Sequence, residues 1–276
     1  QAVNIALRTL LKAAHCKQLR GDGTLICSAT AGEVTADQRR AADEYLQKFL
    51  YSKDCWQVSL ALLRAEEATP AEQHFCARAL HVRLRCSVSK AEVRQASHES
   101  MSHEEWVETR NVLVALAQHW SRVPHGQAVL VQLCGAIAAL ACKMDSWDTR
   151  EVVPFLHGAI CGPESGLESV LATAMLLRAL AEEVVTKALS IRPDRRAHVR
   201  SVLQGATLDV LRLLDQFWGA AVAQEHLNGA PAAAAAVLDA AAAWLELWGG
   251  ASLHAPPQVP LCPAPRVLVR LGGGHR

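Results

Sequence analysis

The chain has 276 residues and a formal net charge of +1, from 28 Lys and Arg against 27 Asp and Glu. This balance excludes a strongly basic nucleic-acid-binding protein and an acidic solvating segment. Apolar residues make up 51% of the chain, which is enough for a core and excludes wholesale disorder. Most of them are Ala, Leu and Val, whereas Phe occurs four times and Tyr twice. Because Ala and Leu favour helices and few aromatic residues are present, we predict an all-α fold.

Apolar residues at helical spacing predict about ten helices and no convincing strand. Capping signals mark several of the starts: Thr69 before Pro70, Ser102 with Glu105 three residues later, and Asp54, whose side chain is expected to cap the free amides of the helix it opens. The most apolar stretch, 128–142, is too short to span a bilayer and predicts a buried helix, so we expect no membrane insertion. In chain order the helices cover about 3–11, 36–50, 54–68, 70–86, 106–120, 127–143, 147–160, 167–177, 199–218 and 232–248.

The predicted helices pair along the chain. One member opens near residues 54, 103, 147 and 194, and its partner opens near 70, 124, 164 and 231. A two-helix unit that returns after roughly 45 residues is typical of HEAT and armadillo arrays, in which units stack because none buries its apolar face alone. We therefore predict an α-solenoid of about five HEAT-type helix pairs. An ordinary helical bundle with accidental spacing is the alternative.

We assign residues 1–255 to one helical arch. Within it, 12–35 carries Gly, Ser and Thr without a period and is predicted to be a loop or insertion. Residues 256–276 contain five of the eleven prolines and a Gly-Gly-Gly run, which predicts an extended or disordered tail. Because the chain begins at Gln1 rather than Met, we expect it to be a fragment of a longer protein.

Nine cysteines are scattered along the chain, and no two form a C-x-x-C pair. This distribution does not fit a disulfide framework and indicates a reducing compartment. Cys134 and Cys142 lie eight residues apart on one face of a predicted helix, and we expect both to be buried thiols.

Catalytic and metal-binding motifs are not recognisable. His98 and His103 are five residues apart, whereas the helical zinc-peptidase pattern needs a spacing of four. GPESG at 162–166 lacks the spacing of a nucleophile elbow. We therefore expect no enzymatic activity, cofactor or metal, with a helical enzyme as an alternative that would need titratable groups converging in a pocket. Three acidic pairs are expected to be solvated: Glu66-Glu67, Glu104-Glu105 and Glu182-Glu183.

Two stretches are locally basic, 70–94 and 190–212, each with five basic residues against two acidic ones. A solvated helix face explains such a stretch. A docking surface for an acidic partner is the second interpretation, because arginine forms bidentate pairs with carboxylates.

Four segments in consistent order resemble a known family. AADEYLQKFLYSKDCWQVSLALL followed by HFCARALHVRLRCSV resembles the N-terminal region of the importin-β family of nuclear transport receptors, over about 36–110. QLCGAIAALACKMDSW resembles the third repeat of the transportin-SR and importin-13 branch, and LRALAEEVVTKALSIRPDRRAHV resembles its next conserved stretch. The resemblance covers about 36–248 and does not include 12–35 or the tail.

The resemblance implies a binding site for the GTP form of the small GTPase Ran on the second, inner helices of the N-terminal repeats. Carried over by position, the helix at 72–85 would face Ran through exposed side chains, and the helix at 127–143 and the polar face of 38–51 would flank it. The residues expected to contact Ran are Arg78, His81, Arg83, Arg85, Gln127 and Gln132.

Further partners are implied by the same resemblance. These receptors carry protein cargo through nuclear pores, in this branch serine/arginine-rich splicing factors, and bind the Phe-Gly repeats of nucleoporins on their outer grooves. The expected location is therefore the nucleus and the cytoplasm, with no direct binding of nucleic acid. A HEAT-repeat scaffold or regulatory subunit outside transport is the alternative, and it would not distinguish Ran-GTP from Ran-GDP.

Overall fold

The computed structural model of the protein describes residues 35–52, 54–86, 102–145, 147, 149–160, 166–227 and 229–249. Within these ranges it contains nine α-helices and no strand, so the all-α prediction is confirmed for this part of the chain. The helices are α1 (Ala36–Leu50), α2 (Cys55–Arg64), α3 (Pro70–Arg85), α4 (His103–Arg122), α5 (Gln127–Lys143), α6 (Thr149–Ile160), α7 (Leu167–Val185), α8 (Pro193–Ala223) and α9 (Ala230–Gly249). The predictions for 3–11, 12–34 and 256–276 lie outside the described residues.

Three helices begin with a capping box. The side chains of Thr35, Thr69 and Ser102 each accept a hydrogen bond from the amide three residues later, and the Gln or Glu at that position reaches back to the cap amide. These reciprocal bonds satisfy amides that have no partner inside the helix. The starts predicted from Thr69 and Ser102 are confirmed, whereas Thr35 lies in the segment predicted to be a loop. The capping bond expected from Asp54 is wrong, because its side chain makes no hydrogen bond to the start of α2.

Some helix bounds and faces differ from the sequence prediction. Helix α2 ends at Arg64 because Ala65 is already extended, and α8 is much longer than 199–218 because Pro193 occupies its first turn. Trp147 precedes α6 instead of lying within it, and its ring packs edge-on against Phe155 with centroids 5.4 Å apart. The most buried apolar residues of α3 are Cys76, Ala77, Ala79, Leu80 and Leu84.

The helices pack in chain order. Helix α2 packs on α3, α4 on α5, α6 on α7 and α8 on α9. The second member of each pair also packs on the second member of the next, so α3, α5, α7 and α9 form a continuous row. Helix α1 contacts α3, and the first members α4, α6 and α8 contact one another in sequence. Helix α5 lies at the centre of this packing. Because α3, α4 and α7 surround it, twelve of its residues are buried.

Three helices of the row end on the same side. The Ser190 amide, just after α7, donates to the carbonyl of Arg85 at the end of α3, at 2.8 Å. Arg195 donates to the carbonyls of Ala141, Cys142 and Met144 at the end of α5. Arg196 donates to the carbonyls of Val184, Thr186 and Leu189 at the end of α7. The row is therefore parallel over α3, α5 and α7, and adjacent arginines at the start of α8 satisfy two helix ends.

Four of the five described thiols lie in the core. Cys55, Cys76, Cys134 and Cys142 are buried, which confirms the expectation for the last two. Burial raises the pKa of the Cys76, Cys134 and Cys142 thiols to about 12, because it disfavours the thiolate. These four cysteines are therefore inert packing groups.

Helix α9 completes the row. The indole of its Trp244 is fully buried and donates to the carbonyl of Leu177 on α7 at 2.8 Å. Among the described helices, α9 is the one whose length and apolar composition would suffice to cross a membrane, and 39% of that stretch is buried against the rest of the protein.

The arginine cap of α5 predicts a stability effect. Replacing Arg195, whose side chain is 11% exposed, by Met removes donors from three helix-end carbonyls while keeping much of the packing. We expect a loss of about 2 kcal/mol in the free energy of unfolding, measured by urea denaturation. Arg212→Met is the control, because that side chain is 74% exposed and should have little effect. Equal effects of the two substitutions would contradict the capping role.

Candidate functional site

A cleft of about 330 Å³ opens between α3, α5, α7 and α9. Small residues from α5, α7 and α9 line it and leave space between the helices: Gly135, Ala179, Ala232, Ala235 and Ala236. Its walls carry charged groups from three helices: His81, Arg85, Arg178, Glu182, Glu183 and Asp239. The cleft is thus an apolar trough with ionic walls, placed where the second helices of all four pairs meet.

A buried carboxylate links α3 to α7 at this cleft. Glu183, only 2% exposed, accepts hydrogen bonds from Arg85 Nε at 2.8 and 2.9 Å and from Arg85 Nη2. His81 Nε2 lies 2.9 Å from Glu183 Oε1. His81 and Arg85 of α3 therefore both bind the carboxylate of Glu183 on α7. Their side chains reach past α5, which lies between α3 and α7.

Gly135 makes this crossing possible. The His81 ring lies directly over α5, and a Cβ added at Gly135 would come within 2.3 Å of the ring atom Cε1. On the other edge of the ring, Nδ1 lies 3.2 Å from Oε1 of Gln132, also on α5. The ring is thus fixed between Gln132 and Glu183, and only a residue without a side chain fits beneath it.

Burial alone would raise the pKa of Glu183, since it disfavours the charged form. The hydrogen bonds and charges of His81 and Arg85 outweigh burial and hold the pKa below its ordinary value of 4.5. Glu183 is therefore ionised at neutral pH, and the link between α3 and α7 is a charge-assisted one.

A second, more exposed ion group joins α7 to α9. Arg178 donates to Glu182 at 2.7 Å and to Asp239 at 2.7 Å. All three side chains are about half exposed, so water screens their attraction and the group adds little stability. Its two carboxylates face one guanidinium, which leaves this wall of the cleft negative.

The structure brings together four of the six residues that sequence reasoning assigned to a partner site. His81, Arg85, Gln127 and Gln132 all line the cleft. Arg78 is exposed on α3 but does not line it.

Arg83 was expected to be exposed, and that expectation is wrong, because its side chain is 7% exposed. It follows His81 by two residues, a rotation of about 200°, which turns it towards α2 and Cys55. Its Nε and Nη1 atoms are buried and have no hydrogen-bond partner among the described residues. Arg83 therefore lies in the interior and cannot contact a partner at the cleft that Arg85 lines.

The basic stretch 190–212 was predicted to be either a solvated helix face or a docking surface, and only some of its arginines are free to form one. Arg195 and Arg196 are committed to the helix ends described above, so neither is available to a partner. Arg192 and Arg212 remain exposed, beside Asp145 and Asp209.

Glu183 is the site residue that sequence reasoning missed. Glu183 was expected to be solvated like the other residues of the three acidic pairs, and for Glu183 this expectation is wrong. It is confirmed for the other two pairs, whose members are all exposed: Glu66, Glu67, Glu104 and Glu105. The signal was available: Glu183 lies three residues after Leu180 and seven after Leu176, within the buried face of α7.

Among the described residues, no group of His, Cys, Asp and Glu could hold a metal ion. No protein-family model matches the sequence, and no curated protein matches it.

The position of the His81 ring over Gly135 predicts the stability effect of a substitution there. Replacing glycine by alanine inside a helix ordinarily raises stability, and at Gly135 it should lower it. Gly135→Ala should lower the free energy of unfolding by about 1–3 kcal/mol, because the new methyl group displaces a ring held by hydrogen bonds on both edges. Gly205→Ala on α8 is the matched control: nothing lies within 4 Å of its added Cβ, so it should stabilise by up to about 1 kcal/mol. If both substitutions stabilise, the ring does not pack on Gly135.

Glu183 predicts a pH dependence. Because its pKa is lowered in the folded state, its contribution is complete above the ordinary value of 4.5 and is lost as the pH falls through the lower folded value. Glu183→Gln should cost about 2 kcal/mol at pH 7, and the difference from the unmodified protein should shrink in acid. Urea unfolding at pH 7 and at steps below 4.5 measures this, with Glu182→Gln as the exposed neighbour. A difference that stays constant with pH would contradict the assignment.

Proposed function

We propose that this chain is a HEAT-type array of helix pairs that forms part of a nuclear transport receptor of the importin-β type. The pairs α2–α3, α4–α5, α6–α7 and α8–α9, each packed on the next, support a stacked array over a bundle of other connectivity. The two segments that resemble the N-terminal region of the importin-β family fall on α1 to α3. The two that resemble the transportin-SR and importin-13 branch fall on α5 and on α7 to α8, in the same order. A role in binding another protein is consistent with a cleft whose walls carry charged side chains from three helices.

One observation carries the proposal. His81 and Arg85 on α3, together with Gln127 and Gln132 on α5, were assigned to the Ran site by position alone, and they line a single cleft. The cleft lies along the second helices, the layer to which the family resemblance assigns Ran binding. Arg78 lies one helical turn before His81 and extends the same side of α3 towards solvent.

The proposed partner is the GTP form of Ran, with protein cargo bound at a different curvature of the array. Small rotations between stacked helix pairs add along the row, so a partner that prefers one curvature shifts the population of conformations. Differential affinity for Ran-GTP would then release cargo in the nucleus. Serine/arginine-rich proteins as cargo, nucleoporin Phe-Gly repeats on the outer grooves and shuttling between nucleus and cytoplasm belong to this proposal.

Ran binding is tested with Arg78→Glu. This side chain is exposed on α3, so reversing its charge should leave the fold intact and weaken Ran binding at least tenfold if it faces the GTPase. Affinity is measured by calorimetry with Ran loaded with a non-hydrolysable GTP analogue and, in parallel, with GDP. Arg212→Glu on α8, also exposed, is the control and should bind like the unmodified chain.

The nucleotide comparison separates the proposal from its alternative. A receptor binds the GTP form and not the GDP form, whereas a HEAT-repeat scaffold outside transport ignores both. Absence of a GTP preference in the unmodified chain would reject the transport proposal. A GTP preference that Arg78→Glu leaves unchanged would reject the α3 surface but keep the receptor assignment.

A further inference from the structure

Two carboxylates of the cleft share a single guanidinium. Arg178 Nε donates to Oε1 of Glu182, and Arg178 Nη1 donates to Oδ2 of Asp239, each at 2.7 Å. The second oxygen of each carboxylate accepts no hydrogen bond from any residue that the structure describes. Glu183 differs, because Arg85 binds both of its oxygens. The cleft therefore offers two open acceptor oxygens, one on α7 and one on α9.

The charges that line the cleft do not balance. Two arginines stand against three carboxylates, which gives a formal charge of −1 when the imidazole of His81 is neutral. Because Arg85 lies against Glu183, the surplus negative charge is at Glu182 and Asp239. These two side chains are 51% and 58% exposed, so a cation can reach them while it stays partly hydrated, and its desolvation cost is small.

Apolar surface lies beside these carboxylates. Val131 on α5 lines the cleft and is 46% exposed, and Met175, Ala179 and Ala235 line it as well. This combination suits a long side chain with a charged end, because such side chains lay their methylene groups on apolar surface and keep the charge in a polar setting. The cleft, at about 330 Å³, has room for one such side chain.

We propose that the cleft receives a lysine side chain of a partner protein, with its ammonium at Glu182 and Asp239 and its stem on Val131. Lysine fits better than arginine, because arginine prefers to bind both oxygens of one carboxylate, and Arg178 already holds one oxygen of each. An ammonium is a compact charge with three donors. The two open oxygens accept two of its hydrogen bonds, and Gln127, which lines the same cleft, can accept the third.

The lysine subsite rests on the proposed function in one respect, since that function takes the cleft as a protein-binding site. Glu182 and Asp239 lie on the third and fourth helix pairs, so they extend the partner surface beyond α3 and α5. Neither residue was assigned to a partner by the sequence. Their role is to select a partner that carries a lysine at this point of contact.

Peptide titration tests the subsite. The probe is a pentapeptide with blocked ends and two alanines on each side of a central lysine, and the uncharged control has norleucine at the centre. Added to the full isotope-labelled chain in low salt, the lysine peptide should shift the amide signals of Val131, Ala179 and Ala235 until they saturate. The norleucine peptide should bind roughly tenfold more weakly, because it has the same stem without the charge. Absence of a saturable shift, equal binding of norleucine, or tighter binding of the corresponding arginine peptide would overturn the proposal.

Variants assign the binding to the two carboxylates. Asp239→Asn and Glu182→Gln should each weaken binding of the lysine peptide roughly threefold, as expected for partly exposed ion pairs. Asp209→Asn is the matched control, because Asp209 is 80% exposed and pairs with Arg212 on α8, and neither lines the cleft. Circular dichroism checks that all three variants remain helical. If Asp239→Asn and Glu182→Gln bind the peptide like the unmodified chain, the carboxylates do not form the subsite.

Failure of the subsite and failure of the transport proposal give different results. A chain that prefers Ran-GTP and does not bind the lysine peptide keeps the transport proposal and overturns the subsite. A chain that binds the lysine peptide through Glu182 and Asp239 and ignores both forms of Ran supports the subsite and rejects the transport proposal.

Discussion

The parallel row of second helices imposes one constraint on the molecule: the carbonyl ends of α3, α5 and α7 gather on one side. Unsatisfied carbonyls and aligned helix dipoles make that side negative, and it needs donors with positive charge. Arg195 and Arg196, adjacent in sequence, donate to the ends of α5 and α7, while the Ser190 amide binds the end of α3. The turn between α7 and α8 therefore holds three helices in register, and the cleft depends on that register.

The link from α3 to α7 departs from what stacking alone would produce. In a linear array each unit contacts its neighbours, yet His81 and Arg85 reach past α5 to Glu183 two pairs away. The reach is possible because Gly135 leaves room for the imidazole, and it is stable because Glu183 is ionised and fully hydrogen-bonded. Three pairs are thus coupled at one point, which limits how far they can rotate against one another.

The two ion groups of the cleft differ in burial and therefore in role. Around Glu183 the charges are desolvated and geometrically fixed, so they determine the spacing of helices. Around Arg178 the charged side chains are half exposed, so water can replace their contacts with one another. Such a group adds little stability and suits the binding of a partner better. A partner that enters the trough would therefore meet an adaptable wall on α7 and α9 and a rigid one on α3.

The sequence by itself determined the helical class, the capped starts at Thr69 and Ser102, and the burial of Cys134 and Cys142, because these depend on composition and local spacing. It also assigned His81, Arg85, Gln127 and Gln132 to one surface through the resemblance. Only tertiary structure decided that Arg83 turns inward, that Arg195 and Arg196 satisfy helix ends, and that Glu183 binds His81 and Arg85. The reason is that a charged side chain takes its role from the atoms around it, and for Glu183 and Arg195 those belong to helices about 50 to 100 residues away in the chain.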